Sequence, residues 1–177
     1  MTISFMVLGG PRSATTWLAN LLTTDTTLCL HDPLLEFKRT DLEKIDIPGK
    51  RIGMADTAAM LFPEWVLTHP APKILLWRDP NEINASLRAL GLRELDIPRH
   101  LRRIEECGKI ETYSWRAIFK AGVAYEICRH LDVPFCRYRF EELAKMNIQP
   151  QFSRLPVGKE AALELVARLA KECGGAG

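Results

Sequence analysis

The sequence predicts an α/β domain built on a mainly parallel sheet, and three observations carry that prediction. Short apolar runs alternate with longer segments whose apolar residues recur at helical spacing, the pattern of strands joined by crossover helices. Two of the runs lead straight into helix-starting turns, Gly9-Gly10-Pro11 and Asp79-Pro80. The 177 residues are 47% hydrophobic and 26% charged, an ordinary globular composition with room for one domain over 1–177. That composition excludes disordered, collagen-like and coiled-coil architectures. No apolar run approaches the roughly 18 residues of a bilayer span, so no membrane partner is expected.

Ile3–Leu8 reads as a buried opening strand, because Met1–Gly10 lacks the basic leader and long apolar stretch of a signal peptide. Leu18, Leu21 and Leu22 then mark a helix. Thr27–Leu30 is a second short strand, and Arg51–Ala55 a third that ends at Asp56-Thr57. Lys73–Trp77 is the clearest buried strand. After it, Asp79 is suited to cap a helix that has Pro80 at its first position and runs through Ile83 and Leu87. Thr112–Leu131 carries apolar residues at helical spacing from Trp115 to Leu131 and reads as one helix. Val133–Tyr138 reads as another short strand, interrupted by Pro134. Ala161–Leu169 is a last amphipathic helix before the Gly174–Gly177 tail.

One segment breaks the alternation. Gly91–Lys109 holds Arg93, Arg99, His100, Arg102 and Arg103 among few large apolar residues. It reads either as a solvated helix or loop, or as a basic lid over an anionic ligand. His69, His100 and His130 read as surface residues.

The charge balance is nearly neutral, with 24 Lys+Arg against 22 Asp+Glu. A nucleic-acid partner, which calls for a strongly basic domain, is not expected. The five cysteines are scattered and odd in number, with no C-x-x-C pair. Neither a zinc site nor a disulfide framework fits, and reduced thiols in the cytoplasm are the simpler reading. No cluster of metal ligands is evident.

In open parallel sheets, ligands bind at the carboxyl ends of the strands. The first such turn is Gly9-Gly10-Pro11-Arg12-Ser13-Ala14-Thr15-Thr16-Trp17. Its glycines let the backbone curl closely, and the helix start offers unpaired N–H groups and a positive dipole end. Arg12 adds a fixed charge; Ser13, Thr15 and Thr16 add hydroxyl donors. A Walker A loop, G-x-x-x-x-G-K-[ST], is not matched, because Ala14 and Thr15 stand where its second glycine and lysine belong. The second anion-suited turn follows Trp77. Arg78 ends the strand, and Ser86 lies two helical turns into the next helix. A buried strand seldom ends in arginine without an anion to meet it, whether a ligand phosphate or the neighbouring Asp79 or Glu82. Two anion-suited turns point to a ligand with two phosphate-like groups.

At these segments the chain resembles the sulfotransferases that use 3′-phosphoadenosine 5′-phosphosulfate (PAPS). Pro11-Arg12-Ser13-Ala14-Thr15-Thr16-Trp17-Leu18 is similar to that family's P-[KR]-S-G-T-T-W-L loop, with Ala14 in place of glycine. Arg78 and Ser86 fit the family's strand-end arginine and the serine eight positions later. Cys136–Leu143 is a weaker match to its strand ending in R-Y-E-x-L. The resemblance implies a P-loop nucleotide-binding-like fold: a three-layer parallel sheet flanked by helices. It also implies PAPS as co-substrate without a metal. Pro11, Arg12, Ser13, Ala14, Thr15 and Thr16 would hold the 5′-phosphate, and Arg78 and Ser86 the 3′-phosphate. Trp17 would either stack on adenine or serve as a core aromatic. The family's C-terminal R-K-G-x-x-G loop has no counterpart beyond Gly158-Lys159.

Sulfuryl transfer, like phosphoryl transfer, accumulates charge on the leaving group, where Arg12 and the loop N–H groups would stabilise it. The acceptor, a small molecule or carbohydrate bearing a hydroxyl or amine, must lose a proton. The candidate bases are Glu36 and Asp32, then His31, all after the second strand. Asp56-Thr57 would line the acceptor pocket. Two other readings are a P-loop-like nucleotide kinase, and a nucleotide-binding module that has lost catalysis.

Overall fold

The computed structural model describes residues 3–146. Among the described residues there are five strands: β1 (Ile3–Gly9), β2 (Thr27–His31), β3 (Arg51–Asp56), β4 (Lys73–Trp77) and β5 (Glu111–Ser114). They form one sheet in the order β2-β3-β1-β4-β5, and every pairing is parallel. The helices are α1 (Thr15–Leu22), α2 (Arg39–Leu42), α3 (Pro63–Thr68), α4 (Pro80–Ala89), α5 (Ile97–Glu106), α6 (Ala121–His130) and α7 (Arg137–Lys145). Parallel pairing requires crossovers, and crossovers put helices on both faces of the sheet. Three layers result, as expected.

β1 is central and reads as a nearly continuous apolar run because both its faces are covered. Phe5 and Val7 join the cluster of Trp17, Leu18, Ile118, Ile127 and Phe140 beneath α1, α6 and α7. Met6 and Leu8 join the opposite cluster of Leu42, Met54, Met60 and Val66. Strict alternation would send Ile3 with Phe5, yet Ile3 packs with Met6. The register shift between Ile3 and Phe5 supplies the missing half-step. Across the ladder Phe5 pairs with Gly53, whose absent Cβ would lie 2.0 Å from the phenyl ring. Only glycine lets that ring cross β3.

Lys73–Trp77 has the expected bounds, and three of the other four expected strands run one residue further. The cap on α4 is also as expected: Asp79 accepts from the Asn81 and Glu82 N–H groups, with Pro80 at the first turn.

Three assignments need correction. The Thr112–Leu131 segment is not one helix. Glu111–Ser114 pairs with β4 as the fifth strand, and only Ala121–His130 is α-helical, after a 3-10 turn at Ala117–Phe119. As a mostly exposed edge strand of four residues, β5 has no apolar alternation to betray it. Val133–Tyr138 is not a strand. Pro134 donates nothing to a ladder, and Phe140 and Leu143, three apart, give α7 a buried stripe from Arg137 onward. The segment likened to a family strand, Cys136–Leu143, is therefore mostly this helix. His69 and His100 are buried, at 6% and 9% exposure, and only His130 is exposed. The helix expected at Ala161–Leu169, Gly158-Lys159 and the Gly174–Gly177 tail lie outside the described residues.

Candidate active site

All five strands of the sheet end on the same side, and the chemistry-bearing residues collect there. After β1 the chain is left-handed at Arg12 (φ 66°) and again at Ala14 (φ 63°). Left-handed residues within a tight turn are characteristic of anion-binding nests. Ala14 occupies the N-cap of α1, and no side chain caps that helix. Its first N–H groups and dipole end are thus left to whatever the loop encloses. A left-handed alanine costs on the order of 1 kcal/mol, which is the physical reason that glycine suits this place in a P-[KR]-S-G-T-T-W-L loop. Ser13 is fully buried, and its Oγ has no hydrogen-bond partner among the described residues. A buried hydroxyl left unpaired costs about 1–3 kcal/mol. It marks a place where an acceptor atom belongs.

The loop is wedged open from the far side. A Cβ on Gly10 would lie 2.8 Å from Ile83 Cδ1 and 2.9 Å from His100 Cε1. Asn84 fixes this arrangement by exchanging two hydrogen bonds with the Leu95 backbone, which docks the start of α5 against α4. Burial alone pushes the His100 pKa down. His100 is therefore a neutral wedge behind the loop, and the segment 91–109 is neither wholly solvated nor loose.

The two anion-suited turns meet. Arg78, from the end of β4, donates through Nη1 to the Arg12 carbonyl oxygen. Arg12 donates through Nε to Ser86 Oγ on α4, at 3.2 Å. The Arg78–Glu82 pairing is also present: Nε lies 3.5 Å from Glu82 Oε2, an ion-pair distance without a hydrogen bond. The Arg78 guanidinium sits 4.2 Å above the Trp115 ring. Burial lowers its pKa first, Glu82 raises it, and the nearby Arg12 and Arg116 lower it again. An arginine remains protonated through such shifts.

On the other side of the loop, His31 at the end of β2 places Nε2 3.3 Å from Thr15 Oγ1 and 3.0 Å from Thr16 Oγ1. The same nitrogen is 3.3 Å from Asp32 Oδ2. Asp32 Oδ1 accepts from the Thr57 N–H and hydroxyl, at 2.7 and 2.9 Å. Asp56 answers in the opposite sense. It is fully buried, accepts from Leu34 N–H through Oδ2, and from the Ala58 and Ala59 N–H groups through Oδ1. Burial raises the Asp56 pKa, and neighbouring Asp32 raises it further against those backbone donors.

Of the residues singled out in the sequence, Arg12, Ser13, Ala14, Thr15, Thr16, His31, Asp32, Arg78 and Ser86 form one connected group, and Pro11 lies within the same loop. Two are elsewhere. Trp17 is 3% exposed, donates through Nε1 to the Leu143 carbonyl at 3.1 Å, and meets Phe119 and Phe140 edge-on. Its ring is packed as a core aromatic. Glu36 is exposed at the end of a 3-10 turn (Pro33–Leu35), with no side-chain partner among the described residues. Trp115 and Arg116 lie beside Arg78 and were missed, whereas His100, named in the possible basic lid, packs behind the loop at Gly10. Trp115 and Arg116 were read into a helix, although an arginine just past a Thr-Tyr-Ser run repeats the logic of Arg78.

Among the described residues no group of three or more His, Cys, Asp or Glu could hold a metal, and no helix is long and apolar enough to cross a membrane. No family model matches the chain, and no curated protein matches it. Among solved structures, it is similar to mouse sulfotransferase SULT7A1 complexed with PAP, with a TM-score of 0.51 at 13% identity. The match covers 81% of this chain and 63% of that one, so this chain spans less than two thirds of its neighbour's length. What the two share is the fold: a parallel α/β sheet between helices, of the sulfotransferase P-loop-like kind.

Proposed function

We propose that this protein transfers a sulfuryl group from PAPS to a hydroxyl or amine of a small-molecule or carbohydrate acceptor. The observation that carries the reading is the junction of the two turns, in which Arg78 bonds the Arg12 carbonyl and Arg12 bonds Ser86. One ligand with two phosphate groups would span it. The orphaned Ser13 hydroxyl supports the fit, because a phosphate oxygen would satisfy it. The PAP named with the mouse neighbour is a nucleotide of this class.

PAPS would supply an activated sulfuryl group and a phosphate leaving group. The chain's own residues supply the rest. Arg12 and the uncapped N–H groups of α1 are fixed before any ligand arrives, so they stabilise leaving-group charge without reorganising. Arg78 and Ser86 hold the second phosphate and so set the register of the first. His31 is the base that takes the acceptor proton. Its Nε2 meets the Thr15 and Thr16 hydroxyls and lies at ion-pair distance, 3.3 Å, from Asp32 Oδ2, and the Thr57 donors keep that carboxylate in place to stabilise the imidazolium that forms. Asp32 is a positioning residue here, and Glu36 takes no part.

Calorimetry with adenosine 3′,5′-bisphosphate, ADP and ATP tests the donor site, and labelled sulfate tests transfer. Tighter binding of the bisphosphate than of ADP, with label passing into an acceptor panel, is expected. Preference for ATP would indicate the kinase reading instead. Arg78→Ala should weaken the bisphosphate about tenfold or more, and adenosine 5′-phosphate far less. Equal losses would remove Arg78 from that role.

A further inference from the structure

Where β4 and β5 end side by side, the Trp115 N–H donates to the Trp77 carbonyl, so Trp115 and Arg116 emerge beside Arg78. Both guanidinium groups lie over the Trp115 ring, Arg78 at 4.2 Å and Arg116 at 4.9 Å. Glu82 holds the group together through separate oxygens. Its Oε2 faces Arg78 Nε at 3.5 Å and accepts from Trp115 Nε1 at 3.3 Å, and its Oε1 meets Arg116 Nη1 at 3.0 Å. Through Arg78 the group reaches Arg12.

Like charges are not gathered around one ring without a counterweight, and here the counterweight falls short. Arg78 and Arg116 bring two positive charges to the ring, while the charge of Arg12 belongs to the first phosphate. Glu82 is the only carboxylate that either of the two pairs with among the described residues, so the ring keeps a net positive charge. An anionic phosphate would meet it.

We propose that Arg116, carried on the end of β5 and stacked with Trp115, is a second cation for the ligand's 3′-phosphate, acting beside Arg78. This rests on the bisphosphate-nucleotide reading of the cleft and adds to it a contact that neither loop motif contains. Arg78 is 14% exposed and fixed in place, whereas Arg116 is 66% exposed and, among the described residues, tethered only by Glu82 and the indole face. Arg116 can therefore turn from the carboxylate to an arriving phosphate with little loss of packing. The indole sets the plane from which it moves.

The test is calorimetry on the whole chain with adenosine 3′,5′-bisphosphate and adenosine 5′-phosphate. Arg116→Ala should weaken the bisphosphate by about tenfold or more, the scale of a charge-assisted contact. The 5′-phosphate should weaken by less than about twofold, because it lacks the group this arginine meets. Arg116→Lys should restore part of the loss. The side chain's exposure makes Arg116→Ala unlikely to disturb folding, which a melting curve checks. If Arg116→Ala keeps the parent's preference for the bisphosphate, or weakens both ligands equally, the proposal fails while the sulfotransferase reading stands. If the parent protein shows no such preference, both fail together.

Discussion

At the ends of β1 and β4 the cleft is lined by arginines and by a buried serine hydroxyl with no acceptor to meet it. At the ends of β2 and β3, a few residues away, two aspartates accept five hydrogen bonds between them, from Leu34, Thr57, Ala58 and Ala59. The first half is rich in donors and incomplete on its own. The second is rich in acceptors and already satisfied. Each aspartate reaches across to the loop that follows the other's strand, so the second half is a brace. Ligand-binding strength should reside in the first half, and unliganded stability in the second.

The largest effect should come from breaking the brace. Asp56→Ala would strand three backbone donors in the interior, and a loss of about 3 kcal/mol in unfolding free energy is expected. Urea denaturation measures it, and a loss under about 1 kcal/mol would show that these loops are held by something else. Ser13→Ala sharpens the contrast from the other side. Removing an unpartnered hydroxyl should leave stability unchanged or slightly raised, while nucleotide affinity drops about tenfold. A variant that destabilised the free protein without touching affinity would reverse the roles assigned to the halves. The smallest effect concerns backbone alone. Ala14→Gly relieves a left-handed alanine and should stabilise the protein by up to about 1 kcal/mol, readable as a rise in Tm.

The same division explains what the sequence disclosed. Donor-half residues sit in short contiguous turns, with Arg12 to Thr16 in one and Arg78 in another, so spacing alone exposed them. The three interior strands, β3, β1 and β4, were visible because burial on two faces leaves apolar runs, and the edge strand β2 still carries Leu28-Cys29-Leu30. β5 escaped because its Glu-Thr-Tyr-Ser has no such run, and Trp115 and Arg116 went with it into a helix that begins only at Ala121. The pairing of Asp32 with Thr57, and of Asp56 with Leu34, spans more than twenty positions and follows from β2 lying beside β3. Nothing local encodes that adjacency. Trp17 misled for the opposite reason. Its neighbours in sequence form the loop, while its indole belongs to α7.

That last contact bears on how the molecule is made. Trp17 is bonded to a carbonyl 126 positions later, and β1, the first of the described strands to be made, has both its neighbours still to come. At about 5–20 residues per second, the wait for Leu143 lasts roughly 6–25 s. Throughout that interval the nascent α1 carries a large aromatic whose partners Phe119, Phe140 and Leu143 have yet to be made, so the docking of this helix is completed only when α7 arrives.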